Sequence, residues 1–368
     1  MKRFAGLIMV LALASGCASA EEALPADPTA PRAHHTEDGF RNLYVDDQSK
    51  KGLFTFLFDV RLKEDWPDED NLIEDPPIAQ KKPDLARINN PDKSEIQTTW
   101  IGHSTFLIQH NGINILTDPI FSDRASPVSF AGPLRYTKPA LKLEDLPPID
   151  AVIISHNHYD HMDEATIRSL GNTPKWFIPL KNVDLFKASG ITNVAEMDWW
   201  DKRRFKTMDI TFTPAQHWSG RGLFDRYKAL WGSWAIRFTD TQANLWFGGD
   251  TGYNDVQFKQ IGEKLGPFDL SLIPIGAYAP RWFMRYSHAS PEEAVKIHQD
   301  IRSRNSIGMH WGTFVLTAEP ATEPPAMLAK AAKAAGLKEG SFLSLPIGGM
   351  VSYEPTAVGY EQQNIAKN

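Results

Sequence analysis

His156-Asn157-His158-Tyr159-Asp160-His161 places three imidazoles and a carboxylate within six positions, directly after the mostly apolar run Ile149-Asp150-Ala151-Val152-Ile153-Ile154-Ser155. An apolar run of this length reads as a buried strand, and the six residues after it read as a loop of metal-type ligands held at the strand's end. Neutral imidazole and carboxylate suit borderline divalent ions such as zinc. The alternation His-x-His aims two rings the same way, and Asp160 with His161 turns back toward a second point. A polar surface turn with chance histidines is the bland alternative. The loop cannot fill two metal shells alone, so a metal centre requires further ligands at later strand ends. Three such ends are present: Phe212-Thr213-Pro214-Ala215-Gln216-His217-Trp218, Leu245-Trp246-Phe247-Gly248-Gly249-Asp250-Thr251-Gly252 and Ser306-Ile307-Gly308-Met309-His310-Trp311-Gly312. Each alone is weak, since a lone histidine after a strand is more often structural than a ligand; the ordered set of four is a strong signal.

The order His-x-His-x-Asp-His, lone His, Gly-Asp, late His resembles the ligand set of the metallo-β-lactamase fold. The chain further resembles the N-acyl-phosphatidylethanolamine-hydrolysing phospholipase D family. This rests on Trp100-Ile101-Gly102-His103-Ser104-Thr105, Thr117-Asp118-Pro119-Ile120-Phe121, Leu146-Pro147-Pro148-Ile149-Asp150-Ala151-Val152, Asp198-Trp199-Trp200, Leu230-Trp231-Gly232-Ser233-Trp234, Gly249-Asp250-Thr251-Gly252-Tyr253, Pro274-Ile275-Gly276-Ala277-Tyr278 and His310-Trp311-Gly312-Thr313-Phe314. The resemblance implies an αββα sandwich with an N-terminal extension and two divalent ions, with zinc expected and manganese or iron left open. It assigns His156, His158 and His217 to one ion, Asp160, His161 and His310 to the other, and Asp250 as the bridge. It also implies phospholipase D-type cleavage of a phosphodiester by a hydroxide shared between the ions; Asp160, Asp250 and His288 are read as the catalytic residues. β-Lactam or lactone hydrolysis, and a non-catalytic envelope lipoprotein with structural metals, remain alternatives.

Around the ligands, Asp118 is expected to accept an N–H from a ligand imidazole, or else simply to begin a proline turn; His103 is a candidate for the same supporting role. Tyr278, Arg281, Trp282 and His288 are read as a substrate wall, with His288 toward the phosphoryl oxygens or the leaving group and the aromatics toward acyl chains. Ser290 before Pro291 caps a helix in either case. His110 and His298 lie outside any ligand motif and read as surface or structural residues. The pair His34-His35 reads as solvated.

Met1-Lys2-Arg3 and the apolar stretch Phe4 to Ala14 resemble an export signal, too short for a confident membrane span. The sole cysteine, Cys17, stands in Leu13-Ala14-Ser15-Gly16-Cys17, which resembles a lipobox; lipid attachment there would make this an exported bacterial envelope lipoprotein. Cleavage after Ala18-Ser19-Ala20, giving a periplasmic protein, is the competing reading. Residues 1–17 are thus assigned to the signal, 18–38 to a flexible tether, 39–96 to an arm packing on the catalytic domain, 97–355 to that domain and 356–368 to a tail. Within the arm, the apolar run Leu53 to Leu62 either packs as core or borders lipid entry.

The chain has 368 residues, 42% apolar and 11% aromatic, enough for a large core. Removing Lys2 and Arg3 leaves 37 basic against 45 acidic side chains, a formal charge of −8. With only Lys202-Arg203-Arg204 as a basic cluster, no nucleic-acid partner is expected. A phospholipid or other phosphodiester substrate is expected instead, and the sequence is silent on oligomeric state. Strands are expected at 98–101, 105–110 and 113–116, with Asn111-Gly112 as the hairpin turn. Helices are expected at 163–170, 291–302 and 326–335.

Overall fold

The computed structural model describes residues 32–45 and 55–356, without the side chains of 56–58. Its fourteen strands form two seven-stranded sheets. The first is built from β1 (Ile96–Gly102), β2 (Thr105–His110), β3 (Ile113–Thr117), β4 (Ala151–Ile153), β5 (Lys175–Pro179) and β6 (Val194–Met197), in spatial order, with β14 (Met350–Tyr353) outside β1. The second runs from β7 (Lys202–Phe205) through β8 (Met208–Thr213), β9 (Ser233–Phe238), β10 (Asn244–Phe247), β11 (Leu270–Pro274) and β12 (Ser306–Met309) to β13 (Phe342–Ser344). Each sheet is antiparallel on one side and parallel on the other; the change falls at β3–β4 and at β10–β11. Asn111 and Gly112 turn the β2–β3 hairpin with φ of 45° and 77°, the positive values such a two-residue turn requires.

Both faces of most strands are covered, so alternate side chains enter different cores. Phe106 and Ile108 of β2 point between the sheets, where they join Phe212, Trp234, Phe247 and Leu272 of the opposite sheet. Leu107 between them faces outward to Val152, Ile167, Trp176 and Phe186 beneath the helices Glu164–Leu170 and Val183–Ala188. Likewise Leu245 and Phe247 face inward while Trp246 faces the layer formed by the helices Gln257–Leu265, Pro291–Asp300 and Glu323–Ala334. The molecule is therefore the four-layered αββα sandwich, held by three apolar layers. Burying each Phe- or Leu-sized side chain there contributes roughly 1.5–3 kcal/mol.

The helix Pro291–Asp300 begins at a capping box formed by Ser290 and Glu293, and Ala294, Ile297 and Ile301 are buried as their spacing predicts. The expected tether needs correction: from Arg32 the chain packs on the sandwich, because His34 and His35 both bond Asp198 and His34 is buried rather than solvated. The helix Phe56–Arg61 ends with Leu62 largely exposed, while Val60 is buried. Residues 46–54 and Cys17 lie outside the described residues. His110 and His298 are buried and structural, bonded to Glu95 and Thr241 and to Ser306 respectively. Lys202 and Arg204 of the basic cluster both pair with Asp209 across the β7–β8 pair, which offsets part of their charge.

Candidate metal centre

The ligand candidates sit at the C-terminal ends of β4, β8, β10 and β12, where the loops of both sheets meet at one edge of the sandwich. Cross-sheet bonds hold that edge: Gly232 N–H donates to Ser155 O at 3.0 Å and Trp234 Nε1–H to Ile154 O at 2.9 Å. The backbone there is unusual. His103, Asp118, Gly249 and His310 have φ of 52°, 29°, 56° and 62°, a region costly for non-glycine residues and typical of functional loops. Gly249 cannot be exchanged freely, since a Cβ there would lie 2.3 Å from Ser155 Cβ.

All seven proposed ligands converge. His156 Nε2 is 2.9 Å from His158 Nδ1, which is 3.3 Å from His217 Nε2. On the other side His161 Nε2 and His310 Nε2 lie 3.2 and 3.3 Å from Asp160 Oδ2. Asp250 Oδ2 stands between the groups, 3.0 Å from His310 Nε2, 3.3 Å from His161 Nε2, 3.8 Å from His217 Nε2 and 4.0 Å from His156 Nε2. Within this cluster His158 Nε2, His161 Nε2 and Asp250 Oδ1 are buried without a hydrogen-bond partner. Buried polar atoms are normally satisfied. Nitrogen lone pairs and carboxylate oxygens facing one another with too few protons fit divalent cations, so the residues suit the metals.

Outer partners fix the rings. Asp118 Oδ2 accepts from His161 Nδ1 at 2.7 Å, leaving Nε2 turned inward; Asp118 also accepts from Ser155 N–H at 2.7 Å. His217 Nδ1 bonds Ser287 O at 2.8 Å, and His156 Nδ1 contacts Ser155 Oγ at 2.9 Å. His103 Nε2 reaches Asp160 Oδ2 at 2.8 Å. Such contacts select tautomer and orientation. Burial holds His156 and His158 well below the ordinary imidazole range, His217 at about 4 and His103 at about 3. Burial opposes charge at His161 and His310 as well. There, however, Asp250 and Asp160 prevail, raising His161 well above its usual range and His310 to about 9. Two carboxylates buried this closely together favour positive charge beside them.

The cluster floors a cavity of about 580 Å³ whose wall includes Trp218, Leu223, Tyr227, Phe283, Met284 and His288. His288 Nδ1 lies 3.8 Å from Asp250 Oδ2 and has no hydrogen-bond partner among the described residues. The expected substrate wall is otherwise displaced. Tyr278 turns away to bond Glu323, and Arg281 is held by His288 O and Glu293. Trp282 lies near Glu64 outside the cavity. The short helix Arg281–Met284 makes the difference: it points Phe283 and Met284 inward and their neighbours out. Sequence reasoning also missed Asn42, Val45 and the loop carrying Trp218 and Leu223, because no spacing rule links segments so far apart in the chain.

Residues 113–311 match the model of the β-lactamase superfamily domain. The chain is 42% identical over 311 residues to N-acyl-phosphatidylethanolamine-hydrolysing phospholipase D 1 of Caenorhabditis elegans, covering 80% of this chain and 86% of that one. It is 36% identical over 264 residues to the mitochondrial N-acyl-phosphatidylethanolamine-hydrolysing phospholipase D of Saccharomyces cerevisiae, covering 70% and 56%. Among solved structures, a metallo hydrolase of the archaeon Ignicoccus hospitalis shares the fold, with a TM-score of 0.53 at 22% identity over 71% of this chain and 100% of that one.

Proposed function

The chain is a metal-dependent hydrolase that belongs to the β-lactamase superfamily and, within it, to the N-acyl-phosphatidylethanolamine-hydrolysing phospholipase D family; from this premise we propose that it is a dinuclear phosphodiesterase cleaving N-acyl-phosphatidylethanolamine or a related lipid. The observation that carries the reading is the position of Asp250 Oδ2 within 4.0 Å of His310, His161, His217 and His156, between two groups of candidate ligands on the floor of an apolar cavity. Its volume falls within the ~300–1,000 Å³ common for small-molecule sites. His156, His158 and His217 would hold one ion and Asp160, His161 and His310 the other, with Asp250 between them. Zinc is the ion this donor set favours. Bound there, the ions supply Lewis acidity toward phosphoryl oxygens and lower the pKa of water.

The chain's own residues then orient and exclude. Asp118, Ser287 and Ser155 keep three imidazoles in the tautomers that face inward. Phe283, Met284 and Leu223 take acyl chains and keep bulk water from the floor. His288 Nδ1 faces that floor and hydrogen-bonds a phosphoryl or leaving-group oxygen.

Incubating metal-analysed protein with a phospholipid panel and identifying the products by mass spectrometry tests the proposal. Release of an N-acylethanolamine or other free head-group alcohol is expected, and Asp250→Asn should abolish it while leaving the circular dichroism unchanged. Full turnover by chelator-stripped protein would overturn it.

Placement in the bacterial envelope through lipid on Cys17 completes the proposal. Among the described residues no helix is long and apolar enough to cross a membrane. Cys17→Ser should move the protein from membrane to soluble fractions, or block its maturation, with turnover of a short-chain substrate unchanged; an unaltered distribution would argue against the anchor.

A further inference from the structure

The strap of residues 33–42 grips the sandwich at both ends, and each end leads to His217. At the near end His34 and His35 donate to the two oxygens of Asp198 at 2.7 and 2.8 Å. His34 also stacks on Trp199, 4.2 Å between ring centroids. Trp199 Nε1–H donates to Trp231 O at 2.6 Å, and Trp231 Nε1–H to Ala215 O at 3.0 Å, two residues before His217. In the middle, Gly39 lies so close to Tyr227 that a Cβ would come within 2.2 Å of its carbonyl oxygen, and Phe40 N–H bonds that oxygen at 2.9 Å.

At the far end is Asn42, buried and joined to His217 itself. Its Nδ2–H donates to His217 O at 2.8 Å, and His217 N–H donates to its Oδ1 at 3.1 Å. One carboxamide thus satisfies both backbone groups of a residue 175 positions away in the chain. Ser287 O, from a third segment, takes the ring's Nδ1. His217 is held at three points, so its Nε2 has one direction left.

We propose that Asn42 is a positioning residue of the metal centre, and that the strap sets the direction of His217 toward its ion while closing one side of the cavity through Asn42, with Val45 just beyond the strap. The inference rests on the reading of His217 as a ligand. A backbone held by water in place of Asn42 leaves the ring free to tilt, and a small misorientation of a ligand weakens coordination without unfolding the protein.

Cobalt titration of the metal-free full chain, followed by the cobalt absorption spectrum and bound-metal stoichiometry, tests this. Asn42→Ala should weaken the ion at His156, His158 and His217 about 10–100-fold and shift its absorption band. Asn42→Asp keeps the acceptor for His217 N–H but sets a carboxylate oxygen against His217 O in place of the donor, so it should weaken that ion at least as much; it also serves if the alanine variant folds poorly. On a His217→Ala background, Asn42→Ala should change the spectrum no further, because the coupled partner is already gone. An Asn42→Ala spectrum and affinity equal to those of the unsubstituted protein, with only the melting temperature lowered, would reduce Asn42 to a structural tie and overturn the inference. No cobalt bound by the unsubstituted protein would instead overturn the metal reading beneath it.

Discussion

Asp118 shows how much a single buried side chain can decide. It has no exposed surface, adopts a φ of 29° and serves Ser155 N–H, Ser155 Oγ and His161 Nδ1 at once. Burial pushes its carboxyl up, and the bonds to His161 and Ser155 oppose that. Asp118→Ala should therefore free the His161 ring and leave Ser155 N–H buried without a partner. Metal affinity should fall about 10–100-fold, read by competition with a chromophoric chelator. Affinity within twofold of the unsubstituted protein would mean that packing alone orients His161. Thr117-Asp118-Pro119 leaves this role open against a proline turn, because a one-dimensional motif carries no direction for a side chain. His34-His35 reads as solvated for the same reason: nothing adjacent in sequence announces Asp198 as the partner.

At the level of elements, strands and their loops follow the sequence closely, whereas the strap does not. β1 to β3 lie within two residues of expectation because alternation, Asn-Gly and bounded apolar runs are local signals. The strap has no periodicity, and its structure comes wholly from what it touches. Its hold should be sensitive to acid. Burial lowers the His34 pKa, with Asp198 opposing, so the folded strap keeps His34 neutral. A base whose folded pKa lies below its unfolded ~6.5 contributes stability that is full above that value and declines as pH falls below it. Asp198 is raised by burial, but its bonds to His34 and His35 prevail and hold it low, so its contribution persists to lower pH. Hydrogen exchange in residues 33–42 should thus accelerate as pH drops from about 7 toward 5, beyond the intrinsic pH dependence of exchange, while β2 stays protected. Equal change in both would indicate global loosening instead.

For the whole molecule, the edge carrying the candidate ligands is where loops of both sheets meet through polar side chains and cross-sheet hydrogen bonds rather than apolar layers. Ions bound only to the folded chain should stabilise it, by about 2.7 kcal/mol at a hundredfold excess over the dissociation constant. A chelator should accordingly lower the melting temperature, and zinc should restore it; an unchanged transition would show that the ligands bind no ion. By itself, the sequence marked the strand ends and set seven ligand candidates beside them through local chemistry: apolar runs, His-x-His-x-Asp-His, glycines beside Asp250; the αββα class followed from the family resemblance. Only the tertiary structure decided which residues face the cavity. Phe283 and Met284 enter it while Arg281 and Trp282 do not, and Asn42 reaches His217 across 175 positions. The physical reason is that the capacity to ligate is a property of residue type, and its clustering at strand ends is readable from letters. Direction and long-range pairing depend on how separately formed layers pack against one another.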